Sequence, residues 1–323
     1  MKLLITGGAG FIGSHFIKYI LKKYPNYKVI NFDKLTYCGN LKNLKEVEKN
    51  PNYEFVKGDI CNPRRVNTVV SRGIDVIINF AAESHVGRSI YCPNTFFKTN
   101  TLGTYILLES ARKYRVKKFI QISTDKVYGS IEEGEASETH PLNPSSPYAI
   151  SKAAADMIVK FYFLTFKLPI FILRFCNIFG PNQYPEKIIP LFIAKLLKNK
   201  KISLHGNGLH VREWLYVLDA CEAIDLILHK GKEGDIYNVG SGIRKTNLEI
   251  ARFILKELGK KEGKCIRYVK DYSVNDRRNA INSNKIKKEI NWKPKYNFEE
   301  ALKETIFWYK TNYNWWKNKS VKD

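Results

Sequence analysis

Two residues that could carry out proton transfer, Tyr148 and Lys152, lie near the middle of the 323-residue chain. Their four-residue spacing places both side chains on one face of a helix. A free tyrosine is a poor base because its pKa is about 10. A neighbouring ammonium favours the phenolate and lowers that pKa. We therefore predict that Tyr148 takes a proton from a substrate hydroxyl while a substrate carbon gives up hydride.

The N-terminal segment predicts the hydride acceptor. Its glycines recur every third residue, at Gly7, Gly10 and Gly13, between an apolar run and a helical pattern. Such glycines allow a tight turn, close approach of the backbone to a pyrophosphate, and packing of a helix on a strand. The first N–H groups of the helix then bind phosphate. The segment predicts a dinucleotide site that contains Gly7, Gly10, Phe11, Ile12 and Gly13.

Further cofactor contacts are expected after the second, third and fourth apolar runs. A carboxylate at Asp33 accepts hydrogen bonds from an adenosine ribose and repels a 2′-phosphate, which favours NAD over NADP although Lys34 follows it. Asp59 could lie beside the adenine or could instead cap a helix. The predicted contacts are Asp33, Lys34, Asp59, Ile60 and Ala81.

Short β-branched runs alternate with longer helical patterns in the first half of the chain. The runs cover residues 3–5, 29–32, 53–56, 76–80, 119–122 and 170–173, and the helical patterns cover 11–23, 62–71, 99–114 and 148–166. This alternation predicts an α/β Rossmann fold, a doubly wound parallel sheet. We expect an NAD-binding domain over residues 1–174, to which 214–241 return with a strand at 237–239. A smaller C-terminal substrate-binding lobe would comprise 175–213 and 242–323.

Composition narrows the function classes. No apolar run approaches the roughly 20 residues that cross a bilayer, and the first strand follows Met1 too closely for a signal peptide. We expect a cytoplasmic protein. The six scattered cysteines predict neither a structural zinc site nor a disulfide framework. The net charge of +23 is spread along the chain, which indicates a solvated basic surface and no nucleic-acid site.

Six further segments are more specific than the glycine pattern. They comprise residues 33–41, 80–86, 143–148, 183–190, 214–217 and 292–294, and include Phe-Ala-Ala-Glu-Ser-His-Val and Gln-Tyr-Pro-Glu-Lys-Ile-Ile-Pro. Together with Ser123-Thr124 at a strand end, they resemble the nucleotide-sugar 4,6-dehydratases of the extended short-chain dehydrogenase/reductase superfamily. The resemblance covers nearly the whole chain.

The resemblance implies a reaction in three steps on a nucleotide-activated hexose, with dTDP-glucose the expected substrate. Tyr148 starts the oxidation of C4 by NAD, and Lys152 also bonds the nicotinamide ribose. Asp125 then protonates the departing C6 hydroxyl while a neighbouring base removes the C5 proton. Hydride returns to C6, which yields a 4-keto-6-deoxy sugar and regenerates NAD. Thr124 is expected to position the substrate.

Lys126 stands where the family has a glutamate base. A lysine removes a proton only when it is neutral, so burial or a cationic neighbour must lower its pKa. Asp-Lys pairs occur in related dehydratases that act on UDP- or CDP-sugars, which is one alternative. A nucleotide-sugar 4-epimerase is another, because it needs Tyr148 and Lys152 but no C5 base. A binding protein that keeps NAD as a structural element is the third.

The resemblance also implies the substrate contacts, which are Ser84, His85, Arg88, Asn177, Lys187, Arg212, Asn247 and Arg277. Three of these have structural alternatives: Lys187 as a surface charge, Arg212 as an ion-pair partner of Glu213 or Asp219, and His85 as a structural histidine. A homodimer is expected through the helices near 99–114 and 148–166.

The sequence departs from the family pattern at four places. These differences affect the expected identity of the nucleotide and the sugar more than the expected fold. Gly87 and Glu213 each stand where the family has aspartate. The pair 178–179 replaces Asn-Tyr. Residues 272–276 replace Arg-Pro-Gly-His-Asp, so an arginine expected near the nucleotide is missing.

Overall fold

The computed structural model describes residues 1–271 and 276–319. The substituted segment 272–275 lies outside the described residues. The strands are β1 (Lys2–Thr6), β2 (Lys28–Asp33), β3 (Tyr53–Lys57), β4 (Val76–Asn79), β5 (Lys118–Thr124), β6 (Ile170–Phe175), β7 (Asn177–Phe179), β8 (Ile202–His205), β9 (Val211–Tyr216), β10 (Ile236–Val239), β11 (Arg244–Thr246) and β12 (Ile266–Val269). All seven strands expected from the sequence are present.

The α-helices lie between these strands and after them. They are α1 (Phe11–Lys23), α2 (Pro63–Val70), α3 (Val86–Tyr91), α4 (Pro93–Phe96), α5 (Gly103–Lys113), α6 (Pro147–Phe166), α7 (Ile188–Leu197), α8 (Val217–Lys230), α9 (Asn247–Glu257), α10 (Glu262–Cys265), α11 (Asn284–Ile290), α12 (Phe298–Thr311) and α13 (Tyr313–Trp316). The helix expected at 99–114 is divided, because a π-helical turn (Phe97–Leu102) precedes α5.

Seven strands form one parallel sheet in the order β10-β6-β5-β4-β1-β2-β3. The order runs outward in both directions from β1 and β4, as in a doubly wound sheet. The predicted Rossmann fold is therefore confirmed. Its β10 edge comes from the later part of the chain and pairs with β6. The carboxyl ends of β1 and β4 lie side by side, with Thr6 paired to Asn79.

Both faces of this sheet are covered. In β1, Leu3 and Ile5 belong to one buried apolar cluster and Leu4 to a second. The first cluster also contains Phe16 of α1 and Ile224 of α8, whereas the second contains apolar residues of α2, α5 and α6. Successive strand residues point to opposite faces, so the continuous apolar run in β1 contributes side chains to both buried clusters.

Two smaller sheets lie beyond the large one, in the orders β11-β9-β7 and β12-β8. Apolar residues of α7, α9 and α12 pack into the first buried cluster, together with the fully buried Trp292 and Trp316. The division into 1–174 with 214–241, and 175–213 with 242–323, stays a prediction. Across residues 1–271 and 276–319, no helix combines the length and apolar character needed to cross a membrane.

Candidate active site

A cavity of about 510 Å³ opens at the carboxyl ends of the central strands. Ligands of open α/β sheets bind at this edge, where the strand order reverses. The cavity walls bring together the glycine turn, the residues after β2 and β3, the Tyr148 side chain and the start of α9. Residues from distant parts of the sequence thus converge on one space that is large enough for small-molecule ligands.

The glycine turn is shaped for close approach. Gly7 has a φ of +68°, which favours glycine, and a Cβ at Gly13 would lie 2.6 Å from the Gly7 carbonyl oxygen. Gly10 is the N-cap residue of α1. Within the described part of the chain, no side chain caps this helix start and no acidic residue lies in its first turn. The N–H groups and the dipole of α1 are therefore available to an anion such as a pyrophosphate.

A valine at Gly13 is expected to abolish most NAD retention. Its Cβ would clash with backbone, which has little freedom to move, and overpacking costs about 1–3 kcal/mol. The measurement is the NAD content of the purified protein after release by heat. The control is Gly263→Val, because a Cβ at Gly263 meets nothing within 4 Å among the described atoms. Equal NAD contents in the two variants would contradict the assignment of this turn.

Asp33 is fixed at the end of β2 by two backbone groups. Its carboxylate accepts hydrogen bonds from Ala9 N–H at 2.9 Å and Leu35 N–H at 2.7 Å, which ties it to the glycine turn. Lys34 pairs with Asp59 at 2.8 Å, so the lysine charge that would attract a 2′-phosphate is engaged. Asp59 also accepts from Cys61 N–H at 2.9 Å and lines the cavity. It does not cap the following helix, because the Asn62 side chain is the N-cap of α2.

Tyr148 lies in the first turn of α6, which begins at Pro147. The Ser146 hydroxyl caps this helix by accepting from Ala149 N–H. Lys152 follows one turn later, and its Nζ donates to the Ile122 carbonyl oxygen at 2.5 Å. Both side chains line the cavity together with Thr124. The helix thus places the predicted proton-transfer pair beside the carboxyl end of β5.

The electrostatics of this pair differ from the sequence-based expectation. Burial raises the pKa of Tyr148 above its ordinary value, and a hydrogen bond with Thr124 offsets only part of that rise. Burial also lowers the pKa of Lys152 to about 8, although Asp156 acts in the opposite direction. The sequence predicts that a neighbouring ammonium lowers the Tyr148 pKa, whereas in this structure that pKa is raised and the Lys152 amine donates to the Ile122 carbonyl oxygen.

Asp125 is buried in the short 3₁₀ turn (Asp125–Tyr128) that follows β5. One carboxylate oxygen accepts from the Thr124 hydroxyl at 3.1 Å, and the other has no hydrogen-bond partner among the described residues. Burial raises the pKa of Asp125 against the opposing charge of Lys126, as a general acid requires. Asp125 is not among the residues that line the cavity, whereas Thr124 and Lys126 are.

Lys126 satisfies the condition that the sequence sets for a lysine base. Burial lowers the pKa of Lys126, and the positive charges of Arg212 and Lys187 act in the same direction. Asp125 and Asp276 oppose them. The amine donates to Asn279 Oδ1 at 2.7 Å and lies 3.9 Å from the Asp276 carboxylate.

The structure brings six of the eight expected substrate residues to the cavity, namely Ser84, His85, Asn177, Lys187, Arg212 and Asn247. The other two expected residues, Arg88 and Arg277, do not line the cavity, and their role in substrate binding stays a prediction. Arg88 stacks on the Tyr37 ring at 4.2 Å and pairs with Glu83 at 3.8 Å. Arg277 donates to Asn207 Oδ1 at 3.0 Å. Neither arginine is part of the cavity wall, because local partners hold both guanidinium groups.

Four of the lining residues have defined roles. His85 caps α3 by accepting from Arg88 N–H at 3.1 Å, and burial lowers its pKa to about 4. Lys187 donates to the Ser84 carbonyl oxygen, so it is not a free surface charge. Arg212 donates to the Asp276 carbonyl oxygen at 2.7 Å. The buried Oδ1 of Asn247 has no hydrogen-bond partner in the described chain, which suits a ligand donor.

Sequence reasoning missed several residues that line or support the site. Asp276 belongs to the segment 272–276, which differs from the family pattern. That pattern gives no signal that Asp276 lies 3.9 Å from the Lys126 amine. Asn279 is 153 positions from Lys126, so spacing gives no signal of their contact. Glu186, Ser145 and Gln183 also line the cavity.

The protein combines a glycine turn suited to a dinucleotide, on a parallel sheet, with Tyr148 and Lys152 on the helix α6. This combination defines the extended short-chain dehydrogenase/reductase class. The family model described as GDP-mannose 4,6 dehydratase matches residues 4–305. The chain therefore belongs to that family of nucleotide-sugar 4,6-dehydratases.

Individual relatives are similar over nearly the full length. The dTDP-D-glucose 4,6-dehydratase of Homo sapiens is 42% identical over 98% of this chain and 92% of its own length. The crystal structure of dTDP-glucose 4,6-dehydratase from Bacillus anthracis in complex with NAD is 49% identical, covers 100% of both chains and has a TM-score of 0.92. DesIV from Streptomyces venezuelae, a dTDP-glucose 4,6-dehydratase with NAD and dTDP bound, is 43% identical over 100% of both chains with a TM-score of 0.96.

Proposed function

We propose that this protein is an NAD-dependent hydro-lyase that converts dTDP-glucose to the 4-keto-6-deoxy sugar. One observation carries the proposal: Tyr148, Thr124 and Lys126 line the same cavity as the glycine turn and Asp33. An alcohol base, a second proton acceptor and a dinucleotide site thus meet in one space. Relatives named dTDP-glucose 4,6-dehydratase support the substrate at more than 40% identity.

The residues of this chain fit each proton that the reaction moves. NAD, when bound, accepts hydride from C4 and returns it to C6. Tyr148 takes the proton of the C4 hydroxyl. The cavity-lining Thr124 hydroxyl, which donates to Asp125 in this structure, would turn its proton to the phenolate and stabilise it by hydrogen bonding. In the elimination step the C5–H bond breaks as Lys126 takes the proton, and that electron pair forms the C5–C6 double bond. The C6–O bond breaks, and the hydroxyl leaves as water with a proton from Asp125.

The diphosphate of the substrate is expected to bind near Arg212, Lys187, Asn177 and Asn247. All four residues line the cavity. Guanidinium and ammonium groups form charge-assisted hydrogen bonds with phosphate oxygens. The basic surface of the chain, at +23 net charge, would also steer an anionic nucleotide sugar toward the cleft.

The test is incubation with dTDP-glucose, UDP-glucose and CDP-glucose in separate reactions, followed by mass spectrometry. Dehydration removes one water from the sugar, whereas 4-epimerisation leaves the mass unchanged. We expect loss of water from dTDP-glucose at the highest kcat/KM. Loss of water only from a UDP- or CDP-sugar would overturn the nucleotide assignment. Conversion without a change in mass would identify the epimerase alternative.

An uncovered apolar stripe on α6 supports assembly with a second copy of this chain. Ile150, Met157, Phe161 and Leu164 recur at helical spacing and are 43–65% exposed. Leu102, at the end of the π-helical turn, and Tyr105, in the adjoining α5, are 45% and 44% exposed. A self-complementary pair of helices on each copy would form an isologous interface. We propose a homodimer through this face.

Met157→Lys is expected to convert the dimer to a monomer at micromolar concentration. Burying a lysine charge at the centre of an apolar interface is unfavourable unless the charge is paired. Molar mass by light scattering measures the result. Phe307→Lys is the matched control, because Phe307 is 64% exposed on α12, outside the stripe. A monomeric wild-type protein would contradict the proposal. The cytoplasmic location expected from the sequence stays a prediction.

A further inference from the structure

Lys126 is held by residues from a distant part of the chain. Its Nζ donates to Asn279 Oδ1 at 2.7 Å, and the two residues are 153 positions apart. Asn279 is 1% exposed, so its amide is removed from solvent. Lys126 and Asp276 line the cavity, and Asn279 lies between them and the backbone at Gly129.

The hydrogen bonds of Asn279 fix the direction of its amide. Its Nδ2 donates to the Gly129 carbonyl oxygen at 3.2 Å and to the Asp276 carboxylate at 3.0 Å. Both partners can only accept, so a rotation by half a turn would place Oδ1 against two acceptors. The Oδ1 atom therefore faces Lys126. It accepts a hydrogen bond from the amine without adding a negative charge.

The same network restrains the Asp276 carboxylate. One of its oxygens accepts from the Ser145 hydroxyl at 2.6 Å, and the other accepts from Asn279. The carboxylate remains 3.9 Å from Lys126 Nζ, beyond hydrogen-bond distance. A carboxylate in direct contact would favour the charged ammonium and oppose deprotonation.

We propose that Asn279 is a positioning residue for the C5 base: it accepts a hydrogen bond from one N–H of the Lys126 amine, which leaves the lone pair free to accept a proton, and it holds the Asp276 carboxylate beyond hydrogen-bond distance of that amine. A neutral amine has two N–H donors and one lone pair, whereas an ammonium has no lone pair to accept the C5 proton. This inference rests on the proposed function, in which Lys126 is that base.

Opposing charges surround Lys126, so its pKa is sensitive to whether residue 279 carries an uncharged amide or a carboxylate. Asp125 and Asp276 face the amine and favour the ammonium, whereas Arg212 and Lys187 favour the neutral form. A third carboxylate at position 279 would move this balance toward the ammonium. Because the base acts only when neutral, the rate of proton abstraction rises as the pH rises through the pKa of Lys126. A higher pKa therefore moves that rise to higher pH.

Asn279→Asp tests the inference on the full-length holoenzyme with dTDP-glucose in D₂O. We expect the midpoint of the pH profile for deuterium incorporation at C5 to rise by about one unit or more. NADH formation from C4 oxidation should retain the wild-type rate. Asn282→Asp is the matched control, since the Oδ1 of Asn282 accepts from Asn284 N–H at 2.9 Å in a local turn. Its profile should overlie that of the wild type.

The outcomes separate this inference from the function on which it rests. Identical midpoints for Asn279→Asp and Asn282→Asp would overturn the positioning role. A wild-type protein that forms no NADH and incorporates no deuterium would overturn the proposed function, and this inference with it. If thermal melting shows that Asn279→Asp does not fold, Asn279→Ala replaces it. That variant should slow deuterium incorporation about tenfold or more with normal NADH formation, and an unchanged rate would refute the role.

Discussion

Replacing Tyr148 by phenylalanine is expected to lower turnover of dTDP-glucose by a factor of about 10²–10⁴. The substitution removes one oxygen, the atom that would take the C4 proton. The ring remains, with its edge contact to Phe96 at 6.3 Å between centroids. We therefore expect NAD content and thermal stability close to those of the wild type. The loss should be seen in the first step, as an absence of NADH during a single turnover.

The same substitution at Tyr162 is the control for this prediction. Tyr162 lies on the same helix, α6, and its hydroxyl contacts Glu109 away from the cavity. Tyr162→Phe should cost about 1 kcal/mol of stability through the lost hydrogen bond and leave kcat unchanged. If Tyr148→Phe still forms NADH at the wild-type rate, another group takes the C4 proton and the assignment fails.

The pKa values around Tyr148 make this prediction informative about mechanism. Burial raises the pKa of the phenol, and Lys152 donates to a backbone carbonyl. Deprotonation of Tyr148 then depends on the Thr124 hydroxyl and on positive charge brought by ligands. We expect the Thr124→Val variant to lose part of the same step, because valine matches threonine in shape and lacks the hydroxyl.

Local chemistry made the fold predictable from the sequence. The apolar runs at residues 3–5 and 76–78 are buried on both faces of the sheet, and such runs are typical of parallel strands. The glycine turn was equally predictable, since its spacing reflects steric limits at Gly7 and Gly13. The helix expected at 148–166 also has a local start signal in the structure, because Ser146 caps it and Pro147 is its first residue.

The parts of the site that the sequence did not reveal depend on contacts between distant residues. Arg88 and Arg277 have the charge expected of phosphate ligands, yet Glu83, Tyr37 and Asn207 hold them elsewhere. The positive charge of an arginine in the sequence does not predict which residue of the folded chain its guanidinium group will contact. Asn279 carries no charge and belongs to no motif, and its role emerges only where the chain folds back onto the turn after β5.

Lys126→Ala is expected to stop proton abstraction at C5 while C4 oxidation continues. The alanine variant keeps Tyr148 and the glycine turn, so NADH should form and then persist, because elimination and hydride return cannot follow. Deuterium incorporation at C5 in D₂O should fall by about 10²–10⁴. The control is Lys117→Ala, whose side chain is 76% exposed and pairs with Asp75 at the surface. That variant should match the wild type.

Lys126→Arg separates a base from a charge that only stabilises the transition state. Arginine keeps the positive charge but does not lose its proton near neutral pH, so it should be as defective as alanine in C5 exchange. A small primary amine added to Lys126→Ala should restore part of the exchange, with a rate that rises with pH as the free amine forms. If the arginine variant retains exchange, Lys126 acts through its charge and another group takes the proton. Burial, with the positive charges of Arg212 and Lys187, lowers the pKa of Lys126 against the opposing charges of Asp125 and Asp276. A lowered pKa stabilises the neutral amine and therefore favours the base.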